Sequence, residues 1–232
     1  MQKKALLRTP AQEFLLGVRD ELPILLGVTP FGMIYGVLAT SAGLAAWDAQ
    51  AMSSVVFAGS SQFMLVQLIA LGTPALMMII SAFFVNLRHA LYSASIAPYI
   101  RHLSPLWKFV LSYLLTDEAY AVSIMHYQDS SDGRNKHWHL LGSGLALWTC
   151  WQLSTAAGIF LGAQVPPAWG LEFTLALTFI ALAVPAVVDK PTALAAVSAG
   201  LVSVLTRGLP YKLNLILAAV VGIGAGLWSE KR

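Results

Sequence analysis

Apolar segments of about 20 residues recur along most of this 232-residue chain and constrain its fold more than any other feature. A helix needs roughly 20 apolar residues to cross the hydrocarbon core of a bilayer. Only 11% of the residues are charged, whereas soluble domains carry about 25%. The short alternating segments typical of a membrane β-barrel are not what the sequence shows. The pattern therefore predicts an all-α polytopic membrane protein.

Eight hydrophobic segments are separated by short linkers rich in Pro, Gly and Asp. They cover residues 22–45, 50–71, 75–97, 105–127, 139–163, 171–188, 192–206 and 212–229. Segment 192–206 is short for a full crossing, so a re-entrant segment with seven spans in total is the alternative. We predict a cytoplasmic or interfacial N-terminal segment at 1–21 and one membrane domain at 22–229, with its halves joined by the loop 127–138.

The distribution of Lys and Arg predicts the orientation, because these residues are enriched on the cytoplasmic side. With a cytoplasmic N-terminus and eight spans, nine of them lie inside, four lie outside and Arg88 lies within a span, which accounts for the 14 in the chain. With seven spans the count is again nine to four. The N-terminus is therefore predicted to be cytoplasmic, and the choice between seven and eight spans stays open.

The third segment carries Asn86, Arg88 and His89 at its centre, and the fourth carries Asp117 and Glu118. A charge at the bilayer centre costs at least about 2.5–3.5 kcal/mol, so such residues usually face protein or water. In one interpretation an acid simply neutralises the arginine and locks two spans together, since buried charges pair. Because two adjacent acids face one arginine, one acid remains without a basic partner. This favours a role for that acid in proton transfer.

A continuous helix over 105–127 would place Asp117 between Tyr113 and Tyr120 on one stripe. The same helix would place Glu118 on an apolar stripe, and apolar surroundings favour the neutral form of a carboxyl group. We therefore predict that Glu118 carries a proton and that Asp117 pairs with the arginine, although the sequence leaves open which acid has which role.

Small and polar residues interrupt the second segment in the order Ala58, Gly59, Ser60, Ser61 and Gln62. At mid-span such residues can mark a helix break where backbone groups are free to meet a substrate. The alternative is a continuous helix that packs tightly through its small residues. We predict the break, and with it substrate contacts from Gly59 to Gln62.

Several function classes are not expected. The chain has a single cysteine, which excludes an internal disulfide and a cysteine-built metal site. It has no P-loop and no HExxH motif, and no basic run long enough to indicate nucleic-acid binding. Four histidines, His102, His126, His137 and His139, are predicted to lie in or near loops rather than in a site. We expect no enzymatic activity, no catalytic residue, no cofactor and no metal.

Four sequence blocks together resemble the AzlC/YgaZ family of branched-chain amino acid exporters. They are PFGMIYG at 30–36, FAGSSQF at 57–63, NLRHALYSASIAPYI at 86–100 and LTDEAYA at 115–121. The resemblance covers nearly the whole chain in size, order and spacing, and in the second half it is mostly one of hydropathy. It implies a permease of the bacterial inner membrane that exports amino acids such as valine, leucine, isoleucine or methionine. It also implies a small hydrophobic partner subunit of the AzlD/YgaH type.

With this resemblance, the polar residues at mid-span predict a proton-coupled secondary transporter. Every amino acid presents a carboxylate, and the planar guanidinium of arginine binds carboxylates through two parallel hydrogen bonds. We therefore expect Arg88 to bind the substrate, with Asn86 helping to orient it. Two alternatives stay open, a passive channel for a small solute and a permease subunit whose partner carries the substrate path.

The charge distribution gives a direct prediction of topology. A reporter fused at residue 132, in the loop that contains Arg134 and Lys136, should show cytoplasmic activity because positively charged loops are retained inside. Periplasmic activity of that fusion would reject the orientation.

Overall fold

A computed structural model describes residues 8–129, 135–162, 187–210 and 213–230. Within these ranges the regular elements are α-helices and there is no strand, so the predicted all-α class is confirmed. The helices are α1 Pro10–Ser41, α2 Ala46–Val56, α3 Gly59–Ala70, α4 Ala75–Ile100, α5 Pro105–Leu114, α6 Asp117–Asp129, α7 Lys136–Gly162, α8 Lys190–Leu205 and α9 Leu213–Glu230. The predicted segment 171–188 lies almost entirely outside the described residues.

Four of these helices, α1, α4, α7 and α9, are long and apolar enough to cross a membrane. This agrees with a helical membrane protein. The other predicted segments within the described ranges form shorter helices, and α8 has 16 residues. The total of seven or eight spans stays a prediction.

The second hydrophobic segment is broken, as expected from its small polar residues. Helix α2 ends where the N–H of Phe57 donates to the carbonyl of Ser53 at 3.2 Å, and Phe57 adopts a left-handed conformation with φ of 34°. A left-handed residue commonly ends a helix. Helix α3 then starts at Gly59, so the break lies at Phe57 and Ala58. The polar residues from Gly59 onward form the first turn of α3.

The fourth hydrophobic segment is also broken, which the sequence analysis did not predict. Helix α5 ends at Leu114, and α6 starts at Asp117. The hydroxyl of Thr116 accepts a hydrogen bond from the N–H of Ala119 at 3.4 Å, which is the geometry of a helix N-cap. Asp117 and Glu118 therefore occupy the first turn of α6, where free N–H groups and the helix dipole stabilise negative charge.

This break overturns one expectation about the two acids. The predicted stripes required one continuous helix through residues 105–127. Because the chain leaves the helical path at Leu115 and Thr116, Tyr113 is not on a common stripe with Asp117. For the same reason the apolar residues of α5 do not continue the face that carries Glu118.

Helix α1 begins well before the predicted span. Thr9 and Gln12 form a reciprocal capping box, and Pro10 occupies the first turn, where its missing N–H has no effect. The second half of the predicted segment 1–21 is therefore the start of α1. The predicted loop 127–138 is also shorter, since α6 continues to Asp129 and α7 begins at Lys136.

Glycines bring α1 and α7 into close contact. A side chain at Gly158 would collide with the carbonyl of Met33, and one at Gly142 with the carbonyl of Phe14. Gly32 and Gly36 of α1 likewise face α7. Contacts advance along both helices in the same direction, so the two run parallel. The small residues of α1 thus serve internal packing, as small residues commonly do in membranes.

The described residues fall into two compact units. One comprises those of Met1–Val66 and Val85–Val165, and it contains all the predicted site residues. The other comprises those of Gln67–Phe84 and Pro166–Arg232. In this second unit α9 packs on α8 through Gly222, where a side chain would lie 2.8 Å from the Cβ of Ala199. The predicted single membrane domain stays a prediction.

Candidate functional site

Arg88 in the middle of α4 connects the two broken segments. Its Nη1 donates to Oδ2 of Asp117 in the first turn of α6. Its Nη2 donates to Oγ of Ser60 in the first turn of α3. About a third of each charged side chain is accessible, 32% for Arg88 and 36% for Asp117. The Nε of Arg88 is buried and has no hydrogen-bond partner among the described residues.

A second contact between α3 and α4 lies beside the first. Oγ of Ser61 donates to Oδ1 of Asn86 at 2.7 Å, and Ser61 is fully buried. Consecutive serines of α3 therefore contact Asn86 and Arg88 of α4. The two contacts hold the broken end of α3 against the centre of a long helix.

Trp151 of α7 supports the first turn of α3 from another side. A side chain at Gly59 would lie 3.1 Å from the indole ring, which shows how closely the backbone approaches it. The indole Nε1 donates to Oε1 of Gln62 at 3.1 Å, and Gln62 is fully buried. The structure thus brings Gly59, Ser60, Ser61 and Gln62 together as one turn that is fixed by α4 and α7.

Tyrosines link α4 and α6 next to the ion pair. The rings of Tyr92 and Tyr120 stack with centroids 4.6 Å apart, and the Tyr120 hydroxyl donates to Oγ of Ser95 at 2.9 Å. Tyr113, predicted to flank Asp117, instead donates to the carbonyl of Ser54 at 2.5 Å on α2. One predicted tyrosine thus lies near the ion pair and the other is used elsewhere.

The arrangement is suited to an anionic group. Two helix N-termini, those of α3 and α6, meet Arg88, and a helix N-terminus carries about half a positive charge. Secondary transporters bind carboxylates with the N-termini of interrupted helices at mid-membrane. In the described part of the chain no group of three or more His, Cys, Asp and Glu could hold a metal ion.

Sequence reasoning missed the contribution of α1. Glu21 of α1 is fully buried. His126 and His139 lie near the ends of α6 and α7 that flank the loop, and their rings stack with centroids 4.1 Å apart. His139 is fully buried. The spacing of the acids in α1 is the signal that could have revealed this face, but it falls in a stretch predicted to lie on the membrane surface.

Comparison with known proteins finds related membrane proteins, and the family match covers the residues of the candidate site. The sequence profile of one family, described as AzlC protein, matches residues 23–165. A protein of Archaeoglobus fulgidus named "Uncharacterized membrane protein" is 30% identical over 90% of this chain and 92% of its own. The inner membrane protein YgaZ of Escherichia coli is 27% identical over 64% of this chain and 61% of its own. A membrane protein of Helicobacter pylori is 27% identical over 73% and 75%. No solved structure matches the chain.

The ion pair predicts a specific pattern of stability. Asp117→Asn should lower the unfolding temperature in detergent, because it leaves the charge of Arg88 unpaired. The effect should stay below the roughly 3–5 kcal/mol of breaking a fully buried pair, since both side chains are partly accessible.

Adding Arg88→Gln to Asp117→Asn should recover part of the loss, because no unpaired charge then remains. Asp48→Asn, at an exposed position in α2, is the matched control. Equal unfolding temperatures for the two single Asp→Asn variants would show that the ion pair contributes no stability.

Proposed function

The chain belongs to the AzlC family of membrane proteins, and on that premise we propose that it is a secondary transporter of the inner membrane that exports small apolar amino acids. The branched-chain class of substrate follows from the family resemblance of its four sequence blocks. The observation that carries the proposal is Arg88, an arginine at mid-helix that meets the first turns of two interrupted helices.

The chemistry of an amino acid fits this ion pair. Its carboxylate can replace that of Asp117 on the guanidinium of Arg88, and its ammonium group can then pair with the released Asp117. The exchange turns one ion pair into two and leaves no charge unpaired, which matters where unpaired charges are costly. Displacement of Asp117 frees Nη1, and the edge formed by Nη1 and Nη2 can then hold the incoming carboxylate with two parallel hydrogen bonds, while the second hydrogen of Nη2 stays on Ser60.

The neighbouring polar residues would fix the geometry of this exchange. Ser60 holds one arm of the guanidinium, so that Arg88 keeps its orientation when Asp117 is displaced. Asn86 and Ser61 hold α3 beside it, and Gln62 is anchored on α7. Gly59 would keep the α3 backbone close to the substrate path. In this scheme the substrate-binding residues are Arg88, Asn86, Gly59, Ser60, Ser61 and Gln62.

Export against a gradient needs a driving force, and an inward flow of protons is the simplest source for a chain without a P-loop. Glu118 is adjacent to Asp117 in the first turn of α6, next to the ion pair but not part of it. We assign the proton to Glu118. Asp117 pairs with Arg88 until substrate replaces it on the guanidinium.

The proposed assembly places the N-terminus in the cytoplasm and includes a small membrane subunit of the AzlD/YgaH type.

Two other functions make different predictions. A passive channel would allow solute to equilibrate but never to accumulate. If the partner carried the substrate path, changes at Arg88 would leave substrate affinity unaltered.

Arg88→Lys tests the binding role. Lysine keeps the charge that pairs with Asp117 but loses the planar fork, so the protein should insert while its apparent affinity for substrate falls. Loss of one charge-assisted hydrogen bond, worth about 1.5–3 kcal/mol, corresponds to roughly 10- to 100-fold weaker affinity. Arg101→Lys, at an exposed position after α4, is the control. An unchanged affinity in a normally inserted Arg88→Lys protein would make Arg88 only a structural counter-charge.

Glu118→Gln tests the coupling role. The amide mimics a permanently protonated carboxyl group, so the variant should still exchange labelled for unlabelled amino acid across vesicles at equal pH. It should lose accumulation driven by a pH gradient. Gradient-driven accumulation at the wild-type level in this variant would refute the assignment.

A further inference from the structure

Helix α1 carries a stripe of acids that neither the substrate site nor the ion pair uses. Glu13, Asp20 and Glu21 are seven and eight residues apart and thus lie on one face of the helix, with Gly17 between them. Glu13 is 7% exposed and Glu21 is fully buried. Ionisable residues in membrane helices are costly and often mark ion pathways or chains of proton-carrying groups.

Two histidines meet the first part of this stripe. Nε2 of His126 on α6 lies 2.7 Å from Oε2 of Glu13. Nε2 of His139 on α7 lies 3.1 Å from Oδ2 of Asp20. The two imidazole rings stack with centroids 4.1 Å apart and planes within 11°. Two imidazole–carboxylate pairs are therefore packed ring against ring between three helices.

One end of this arrangement reaches the N-terminal end of α1. Oε1 of Glu13 lies 3.7 Å from Nη1 of Arg8, whose side chain is 50% exposed. Asn135, just before α7, donates to the backbone carbonyl of Arg8 at 2.8 Å. Glu13 thus connects the buried histidines to accessible residues at this end of the helices.

The other end reaches Glu118. Helices α1 and α6 run antiparallel, and Glu13 lies opposite His126. Glu21 is eight residues further along α1, and Glu118 is eight residues back along α6. Eight residues of helix span about 12 Å, so the two glutamates lie at the same level of the two helices.

Glu21 is not stabilised as an ion in this position. Both of its carboxylate oxygens are buried and have no hydrogen-bond partner among the described residues. A buried carboxylate with no partner is strongly disfavoured. The group can hold a proton here, and it lacks the contacts that would make it a structural counter-charge.

We propose that these five residues form the path along which protons pass between solution at the N-terminal end of α1 and Glu118. The residues, called the proton seam below, are Glu13, His126, His139, Asp20 and Glu21. This inference rests on the proposed function, because it takes Glu118 as the coupling group, and it adds the route by which that group releases its proton to the side of the N-terminus.

Each transfer along the proton seam breaks one N–H or O–H bond and forms another, and no electron is exchanged. Where two groups are not in direct contact, the transfer requires an intervening water molecule, of the kind that buried polar groups commonly bind. The hydroxyl of Ser123 lies 3.5 Å from Nδ1 of His139 and can take part in such a bridge.

Titratable and charged neighbours from each packed helix face these groups. Those that face the two histidines are Glu13 and Asp20 from α1, and each histidine faces the other across α6 and α7. Those that face Glu118 are Glu21 from α1, Arg88 from α4 and Asp117 from its own helix.

The test uses the full chain reconstituted in vesicles with a trapped pH-sensitive dye and labelled valine. Two rates are measured for each protein, exchange of substrate at equal pH and proton movement during net transport. In Glu21→Gln and in the double variant His126→Gln/His139→Gln, the ratio of proton movement to exchange should fall at least tenfold. The matched control is His102→Gln/His137→Gln, a second histidine pair with centroids 6.5 Å apart that lies outside the proton seam.

A wild-type ratio in the seam variants would overturn the proposal. A proportional loss of both rates in Glu21→Gln would also overturn it, since the residue would then be structural. If the double variant fails to fold, Glu21→Gln decides, because glutamine keeps the shape of a side chain that has no hydrogen bond to lose in the described structure. Absence of proton movement in the wild type would instead reject the coupling in the proposed function.

Discussion

An arginine in the middle of an apolar helix is the constraint on which the arrangement of the first compact unit depends. A charge at this depth is tolerated only where protein or water surrounds it. Arg88 therefore determines what its neighbours must supply, namely a carboxylate from Asp117 and a hydroxyl from Ser60. Both come from residues in the first turn of a helix. The two helix breaks therefore place the groups that Arg88 contacts.

Breaking a helix inside a membrane exposes backbone groups that must find partners. In this chain the breaks are short, and side chains or close packing support each of them. Thr116 caps α6, and Trp151 packs on the first turn of α3. The indole also stacks on Tyr35 of α1, with ring centroids 6.3 Å apart. Packing far from Arg88 therefore fixes the groups that surround it.

Hydropathy was sufficient to predict the long elements. The predicted span 75–97 corresponds to Ala75–Ile100, and the segment 212–229 corresponds to Leu213–Glu230. The break after α2 could be predicted because FAGSSQ combines small and polar residues. The break before α6 could not, since SYLLTDEAY has no glycine or proline and is compatible with a continuous helix. Tertiary contacts determine this break, because Thr116 caps α6 and Asp117 in the first turn of α6 pairs with Arg88 on α4.

The acids of α1 were overlooked for a different reason. Their stretch contains Arg8, Glu13 and Arg19 and is too polar for a span by composition. Glu13 pairs with His126 on α6 and Asp20 pairs with His139 on α7, and these partners are more than 100 residues away in sequence. Interactions between distant charges leave no trace in a local window. The proton seam is therefore visible only in the structure.

The most direct test of proton-driven export through this chain is the uptake of labelled amino acids by inside-out membrane vesicles that contain the wild-type protein. With an acidic lumen, valine, leucine, isoleucine or methionine should accumulate above its outside concentration, and accumulation should stop when the pH gradient is collapsed. Equilibration without accumulation, equal in rate with and without the gradient, would contradict the coupling and indicate a passive channel.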